Sequence, residues 1–281
     1  MTTRIMLPLA MGQMLVEGGE PNQNLSRAVQ MISQASSLGC QIIVLPECLD
    51  LGWTHPSALE IAQPIPGAHT QILCAAAREN SIYVAAGLVE RDGDKVYNSA
   101  ILISPAGDIL LKHRKINELT IAHHLYTTGC SLSVADTSFG RTALNICADN
   151  FPNSLAIGHA QARMGARILL SPSSWAVPAD FDQQKTPYGD LWEGSYKTLA
   201  LHYQIPVIGV SNVGWLTAGP WEGQKCIGCS LAVGPDGEIL AKGRYGEEAE
   251  ELIVVEVPVV ENRLRGTDIG EDLHKRGYAG L

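Results

Sequence analysis

Residues 39–46 read GCQIIVLP, in which four consecutive apolar residues lie between a glycine-containing turn and a proline. An unbroken apolar run of this kind is typical of a parallel strand that is buried on both faces. Gly39 predicts the end of a preceding helix, and Pro46 predicts the end of the strand. The stretch therefore predicts an α/β fold in which helices cover a parallel sheet.

The same pattern recurs in the second half of the chain. Residues 165–172 read GARILLSP and match 39–46 at an offset of 126 residues. Two more pairs of segments match in the same order at offsets of 123 and 130 residues: 82–84 with 205–207, and 105–114 with 235–244. Ordered repeats predict two similar α/β halves. Two such sheets packed face to face would form a four-layer α-β-β-α sandwich, and a single doubly wound sheet is the alternative.

Hydrophobic periodicity and turn residues place the remaining elements. Helices are predicted at 23–38, with Asn22 or Asn24 as N-cap, and at 68–80, 153–164 and 190–203. Strands are predicted at 4–10, 82–90, 141–147, 167–170 (ended by Pro172), 207–212 and 251–257, and hairpins at 105–107 and 235–237. We expect one domain over residues 1–260, followed by a tail at 261–281 that is a candidate for an oligomer interface.

Composition narrows the class of protein. The chain has 281 residues, of which 46% are hydrophobic and 17% charged, and its net charge is −9. An acidic balance argues against nucleic acid and against anionic membrane as partners. No apolar run approaches the ~20 residues that a membrane span needs. Seven cysteines, together with an N-terminus that lacks a clear cleavage site, predict reduced thiols in a cytoplasmic protein.

The stretch LNICADNFP at 144–152 carries the first candidate catalytic residue. We expect a strand to bring Cys147 to its carboxyl end and a sharp elbow to lead into a helix. Backbone N–H groups and the dipole of a helix N-terminus would favour a thiolate, and hence a nucleophile. A buried apolar filler is the alternative role for such a cysteine.

Glu47 and Lys115 follow two other predicted strand ends, where open α/β sheets place their sites. In the repeat these positions correspond to Ser173 and Tyr245, so the shared scaffold does not require them. A carboxylate could accept the proton of the Cys147 thiol. A lysine, together with the backbone N–H of Ala148, would stabilise an oxyanion. Taken alone, a glutamate at position 47 is more typical of a solvated loop, and a lysine at position 115 of a solvated basic edge.

Three motifs carry a family resemblance: LPE at 45–47, HRKIN at 113–117 and NICADNFP at 145–152. Their order and spacing resemble those of the nitrilase, or carbon–nitrogen hydrolase, superfamily. The resemblance implies an α-β-β-α sandwich and a Glu47–Lys115–Cys147 triad. It also implies a thioester or thioimidate intermediate that water hydrolyses, no metal or organic cofactor, and a homodimer or higher homo-oligomer.

One segment departs from the family pattern. Family members usually carry a second glutamate between the lysine and the cysteine, and here the segment 117–129 contains only one carboxylate, Glu118. Glu118 is thus the candidate for positioning the substrate and assisting the leaving group. Alternatively, His123 or His124 takes this role, or the role is missing.

Other residues are candidates of lower weight. His124, Trp175 and Trp192 are predicted to bind substrate, and the alternative for the tryptophans, Trp215 included, is core packing or an oligomer interface. Cys226 and Cys229 have CxxC spacing, but no second pair completes a zinc site, and a redox role is the alternative. A serine hydrolase is poorly supported, because the sequence has no Gly-x-Ser-x-Gly elbow.

These observations predict a cytoplasmic thiol amidohydrolase that converts a small amide to an acid and ammonia or an amine. Within the family, the alternatives are a nitrilase, acting on nitriles, and an N-carbamoyl amine or amino-acid hydrolase. A catalytically idle binding module is the alternative from a different class.

Overall fold

The computed structural model describes residues 4–261 and 266–280. The first half of the chain contains β1 (Arg4–Gln13), α1 (Pro21–Ser37), β2 (Ile42–Val44), α2 (Ala58–Ile61), α3 (Ala68–Glu79), β3 (Tyr83–Asp92), β4 (Lys95–Ile103) and β5 (Ile109–Arg114). The second half contains β6 (Val134–Thr137), β7 (Gly140–Leu144), α4 (Ala156–Arg163), β8 (Ile168–Ser173), β9 (Ala176–Val177), α5 (Asp190–Tyr203), β10 (Val207–Ser211), β11 (Val213–Trp215), β12 (Lys225–Ile227), β13 (Leu231–Val233), β14 (Ile239–Lys242), β15 (Glu251–Val260) and α6 (Thr267–Lys275).

Two six-stranded sheets have the same topology. Their strand orders are β15-β1-β2-β3-β4-β5 and, read from the opposite edge, β6-β7-β8-β10-β13-β14. In each sheet the second, third and fourth strands are parallel, and the outer strands are antiparallel. The strands that contain the two repeated segments, β2 and β8, occupy equivalent places. The prediction of two similar α/β halves is therefore confirmed.

The sheets and helices form four layers. Along β2, Ile42 and Val44 join a core that also contains β8 residues, whereas Ile43 joins a core with residues of α1 and α3. This alternation follows from the strand period of two, which sends successive side chains to opposite faces. The second sheet packs its outer face on α4 and α5. A small third sheet, β11-β12-β9, lies beyond the strand ends.

Two local predictions were wrong. The N-cap of α1 is Glu20, and the Asn24 side chain is instead buried, where it bonds the backbone of Glu17 and of Asp50. Strand β8 continues through Pro172, which lies opposite Val210. Strand β7 ends at the residue paired with Leu170, so only one strand flanks the proline. A proline is tolerated there because no second ladder bond is lost.

The end of the chain packs on its own subunit. In α6, Ile269 and Leu273 are buried in the main core. Arg276 Nη1 donates to the carbonyl of His202 at 2.6 Å. Residues 262–265 and 281 of the predicted tail lie outside the described residues, and the predicted domain division and oligomer interface stay predictions. Within the described part of the chain, no helix is both long and apolar enough to cross a membrane.

Candidate active site

Cys147 lies on a tight turn that follows the end of β7. The strand stops at Leu144, and residues Cys147–Asn150 form a short 3-10 turn. Cys147 has a φ of +42°, a left-handed conformation that few residues other than glycine adopt. Helix α4 begins only at Ala156. The predicted strand to 147 and the helix from 153 were therefore too long, because the turn takes up the residues between them.

A buried carboxylate, Asp149, holds this turn in place. Its oxygens accept hydrogen bonds from the backbone N–H groups of Ile146 at 3.0 Å, Ile116 at 3.0 Å and Asn117 at 2.7 Å. His113 Nε2 lies 2.8 Å from Asp149 Oδ2. Burial alone would raise the pKa of Asp149, but the contact with His113 keeps it below its ordinary value. Asp149 thus ties the cysteine turn to the segment that carries Lys115.

Asp149 was missed as a site residue, although it belongs to the NICADNFP motif. We expect Asp149→Asn to destabilise the fold by about 1–3 kcal/mol, since an amide cannot accept all these hydrogen bonds. Turnover should fall as well, because the turn and the lysine segment lose their common anchor. Urea unfolding and kcat would measure both effects. Asp136→Asn is the matched control, because Asp136 is exposed and pairs with Arg141. Equal effects of the two substitutions would contradict the anchoring role.

Glu47 and Lys115 form a fully buried ion pair. Lys115 Nζ lies 2.7 Å from Glu47 Oε1, and each side chain is 1% exposed. Asn98 Nδ2 donates to the same oxygen at 2.6 Å. Glu47 Oε2 has no hydrogen-bond partner among the described residues. The backbone N–H of Glu47 donates to the carbonyl of Ser173, its equivalent in the other half, at 3.2 Å.

The surroundings favour the charged form of Lys115 and the neutral form of Cys147. Burial would lower the pKa of Lys115, but the carboxylates of Glu118 and Glu47 raise it well above its ordinary value. Burial and the negative charge of Glu47 raise the pKa of the Cys147 thiol far more than Lys115 lowers it. The α-helix whose N-terminus was expected to stabilise a thiolate begins only at Ala156, so that part of the prediction was wrong. The raised pKa favours a protonated resting thiol, so attack requires a base.

Glu118 lies beside Lys115, with 3.7 Å between Oε2 and Nζ. Both of its carboxylate oxygens are buried without a hydrogen-bond partner in the described part of the chain. Burial, opposed by Lys115 and assisted by the charges of Glu47 and Asp149, raises the pKa of Glu118 to about 7. Glu118 is thus a buried acid beside Lys115 with a raised pKa, and its role as the second carboxylate stays a prediction.

The structure does not bring the histidines to this site. His123 and His124 are exposed, and His124 Nδ1 lies 2.8 Å from the carbonyl oxygen of Ile121. The predicted substrate contact of His124 therefore has no counterpart in the pocket. His124 was a candidate because it lies close to Glu118 in the sequence. The turn at Thr120–Ala122, however, is followed by two exposed histidines.

A pocket of about 370 Å³ contains Glu47, Lys115, Cys147 and Ala148 in its wall. Trp175 and Trp192 also line it, with ring centroids 4.9 Å apart and planes inclined by 19°. Trp215 lies outside this pocket and is 45% exposed. Further aromatic residues of the wall were not predicted, since they come from separate loops: Trp53, Phe151, Phe181, Tyr188 and Trp221.

Among the described residues that line this pocket, Cys147 is the only cysteine. Cys226 and Cys229 are buried and free, and Cys226 Sγ lies 3.4 Å from Ser174 Oγ. Across residues 4–261 and 266–280, no three His, Cys, Asp or Glu side chains are grouped so that they could hold a metal ion.

Comparison with known proteins identifies relatives over nearly the whole chain. The carbon–nitrogen hydrolase family matches residues 9–263. A nitrilase from Pyrococcus abyssi is 31% identical over 264 residues, covering 92% of this chain and 93% of the relative. An omega-amidase from Homo sapiens is 32% identical over 235 residues, or 79% of each chain. A mutant of the amidase from Nesterenkonia AN1 aligns over 97% of each chain with a TM-score of 0.76 and 21% identity.

The two-sheet α/β fold and these relatives define an amidase-like hydrolase of carbon–nitrogen bonds. The chain belongs to the carbon–nitrogen hydrolase family, within the nitrilase superfamily. The resemblance drawn from the three sequence motifs is thereby confirmed, as is the α/β fold of two large sheets.

Proposed function

We propose that this protein hydrolyses a small amide through a thioester on Cys147, releasing an acid and ammonia or an amine. The supporting observation is the buried Lys115–Glu47 ion pair in the wall of the pocket that also contains the cysteine. Burying two charges is costly, and replacing them by apolar residues is often neutral or stabilising. A pair kept in that position is therefore better explained by chemistry than by stability.

The first step joins the sulfur to the carbonyl carbon of the amide. Because the thiol is protonated at rest, Glu47 Oε2 accepts its proton as the C–S bond forms. The carbonyl π electrons move to oxygen, and the ammonium of Lys115 and the backbone N–H of Ala148 stabilise the oxyanion. One such donor is typically worth ~10²–10³ in rate.

The second half of the reaction returns the enzyme to its resting state. Glu47, now a carboxylic acid, gives its proton to the departing nitrogen as the C–N bond breaks, leaving a thioester. A water molecule then gives a proton to Glu47 and attacks the thioester carbon. When the C–S bond breaks, the acid leaves and the sulfur regains its proton from Glu47. We propose that Glu118 positions the substrate amide and assists the leaving nitrogen.

The titration of Glu118 gives a pH-dependent prediction. Its folded-state pKa of about 7 exceeds the ordinary value of 4.5, so folding favours the protonated acid. The stability contributed by this group is full below about pH 4.5 and is lost as pH rises through about 7. Glu118→Gln, uncharged at every pH, should therefore gain thermal stability relative to the wild type as pH increases. Thermal unfolding from about pH 5 to about pH 9 measures this difference.

The exposed Glu60→Gln is the control for this titration, and its melting curve should run parallel to that of the wild type. A Glu118→Gln protein that also runs parallel at all pH values would show that Glu118 does not titrate near neutrality. The kcat of Glu118→Gln is expected to fall by about 10² or more, as for a general acid–base group.

The relatives support hydrolysis of a carbon–nitrogen bond, and the amide bond and the nitrile bond are the two types to test. The 32% identical relative is an omega-amidase, and the 31% identical relative is a nitrilase. A nitrile would form a thioimidate on the same cysteine. Ammonia release from purified protein, measured with a panel of amides, nitriles and N-carbamoyl compounds, tests the proposal. We expect amides to have the highest kcat/KM. A higher value for nitriles would establish the nitrilase alternative, and no release from any compound would favour the binding module.

The homo-oligomeric state and the cytoplasmic location stay predictions. We propose both on the sequence grounds given above: the usual pairing of family members, and the seven cysteines of the chain.

A further inference from the structure

The wall of the candidate active site is mostly aromatic and aliphatic. Its apolar side chains are those of Trp53, Leu119, Phe151, Trp175, Phe181, Leu191, Trp192 and Trp221, with Pro187 and Tyr188. Pockets that hold small ligands have typical volumes of ~300–1,000 Å³. At about 370 Å³, this pocket is near the small end of that range. It therefore suits a substrate in which one ring or a short chain accompanies the amide.

Contacts between the rings hold the wall in shape. Trp192 stacks on Trp175, and the ring of Phe151 lies 5.3 Å from that of Trp192. Trp53 and Trp221 form a second pair with centroids 4.8 Å apart. Trp192 Nε1 donates to the hydroxyl of Tyr188 at 2.8 Å, so this polar group is already paired within the protein. Flat, preorganised aromatic surfaces favour a ring or an apolar chain.

The charges in the wall disfavour an anionic substrate. Among the described side chains that line the pocket, Lys115 is the only cation, and it pairs with Glu47 and lies near Glu118. The other charged side chain of the wall is the carboxylate of Asp190 at the exposed start of α5. A carboxylate on the substrate would lose its hydration without gaining a free cation, which is unfavourable in a buried site.

Two lysines near the mouth do not change this balance. Lys185 precedes the lining residue Thr186, but it is 84% exposed and pairs with Asp182 at 3.1 Å. Lys242 pairs with Glu193 at 2.8 Å. Neither lysine lines the pocket, although Lys242 shares Glu193 with Lys197, which lies 3.7 Å from that carboxylate.

We infer that the substrate is an amide whose acyl group is uncharged and apolar, with an aromatic ring as the best fit. This inference rests on the proposed amide hydrolysis and adds the substrate class. Amides that carry a carboxylate on the acyl chain are selected against, because the described residues of the pocket wall offer that group no unpaired cation.

The test compares primary amides of similar length with purified protein. The series is 3-phenylpropanamide, hexanamide and glutaramic acid, the last being the monoamide that ends in a carboxylate. We expect kcat/KM to be highest for the phenyl compound and about 100-fold lower for glutaramic acid than for hexanamide. A kcat/KM for glutaramic acid equal to or above that of hexanamide would overturn the inference while leaving amide hydrolysis intact. Failure to hydrolyse any amide would instead refute the proposed function.

A charge introduced at the mouth provides an independent test. Thr186 is an exposed residue of the pocket wall, so an arginine there would present a cation to the bound acyl group. We expect kcat/KM for glutaramic acid to be about 10-fold higher for Thr186→Arg than for Thr186→Gln, the uncharged variant of similar reach. The two variants should treat hexanamide alike. Equal values for glutaramic acid would show that charge in the pocket does not select the substrate.

The aromatic wall is tested with Trp192→Ala. We expect this substitution to lower kcat/KM for 3-phenylpropanamide about 10-fold more than for acetamide, because acetamide has no group to contact the ring. Equal losses for both amides would mean that Trp192 does not recognise the acyl group.

Discussion

Replacing Cys147 with alanine or serine is expected to abolish amide turnover, with kcat lowered by about 10⁴ or more. Without the sulfur, no thioester forms, and the serine hydroxyl is a much weaker acid than a thiol. The fold should remain, because alanine, serine and cysteine all carry a Cβ and pay a similar cost for the φ of +42°. Ammonia release and thermal unfolding measure the two effects. Full activity of the alanine variant would refute the proposed mechanism.

Alkylation distinguishes the candidate nucleophile from the other thiols. As the proposed nucleophile, Cys147 would be expected to alkylate before the other six cysteines. The structure changes this expectation, because Cys130 is exposed whereas the Cys147 thiol is buried and protonated. The experiment is therefore done in a Cys130→Ser protein, which is also the matched control for activity. Iodoacetamide, a small amide itself, should label Cys147 first, and Glu47→Gln should slow that labelling. Mass spectrometry identifies the modified residue.

The architecture could be predicted because burial leaves a pattern in neighbouring residues. GCQIIVLP and GARILLSP each contain a strand covered on both faces, and the structure places β2 and β8 at equivalent positions in two sheets of the same order. The position of Glu47 followed from the same logic, because a residue that follows a parallel strand lies at the edge where sites form. Lys115 reaches the same edge from β5, an antiparallel outer strand that runs in the same direction as β3. The backbone N–H of Glu47 donates a hydrogen bond to the carbonyl of Ser173, so the two halves are in direct contact at these equivalent positions.

The pocket and its charges could not be predicted in the same way. Trp53, Phe151 and Trp221 come from loops far apart in the chain, and no local period relates them. The protonated state of Cys147 depends on burial and on the distance to Glu47, both of which are tertiary properties. His124 failed as a candidate for the complementary reason: nearness in sequence to Glu118 does not bring an exposed turn into a pocket.

Lys115→Met is expected to have the largest combined effect on activity and stability. The substitution keeps much of the stem but leaves Glu47 and Glu118 as buried carboxylates without their common cation. Removing one partner of a buried pair costs about 3–5 kcal/mol. Glu47 then lacks the cation it contacts at 2.7 Å, and the oxyanion loses its ammonium. We expect kcat to fall by about 10³ or more.

The double variant Lys115→Met/Glu47→Gln separates these two effects. It removes both members of the ion pair, so part of the lost stability should return, whereas activity should not. Urea unfolding and ammonia release measure the two quantities on the same preparations. Lys112→Met on β5 is the control, because Lys112 is 33% exposed and its partner Glu90 still pairs with Arg114 in that variant. The control should lower the free energy of unfolding by about 1 kcal/mol or less. A Lys115→Met protein as stable as Lys112→Met would show that the cation does not balance the buried carboxylates. A Lys115→Met protein as active as Lys112→Met would show that the ammonium does not stabilise the oxyanion.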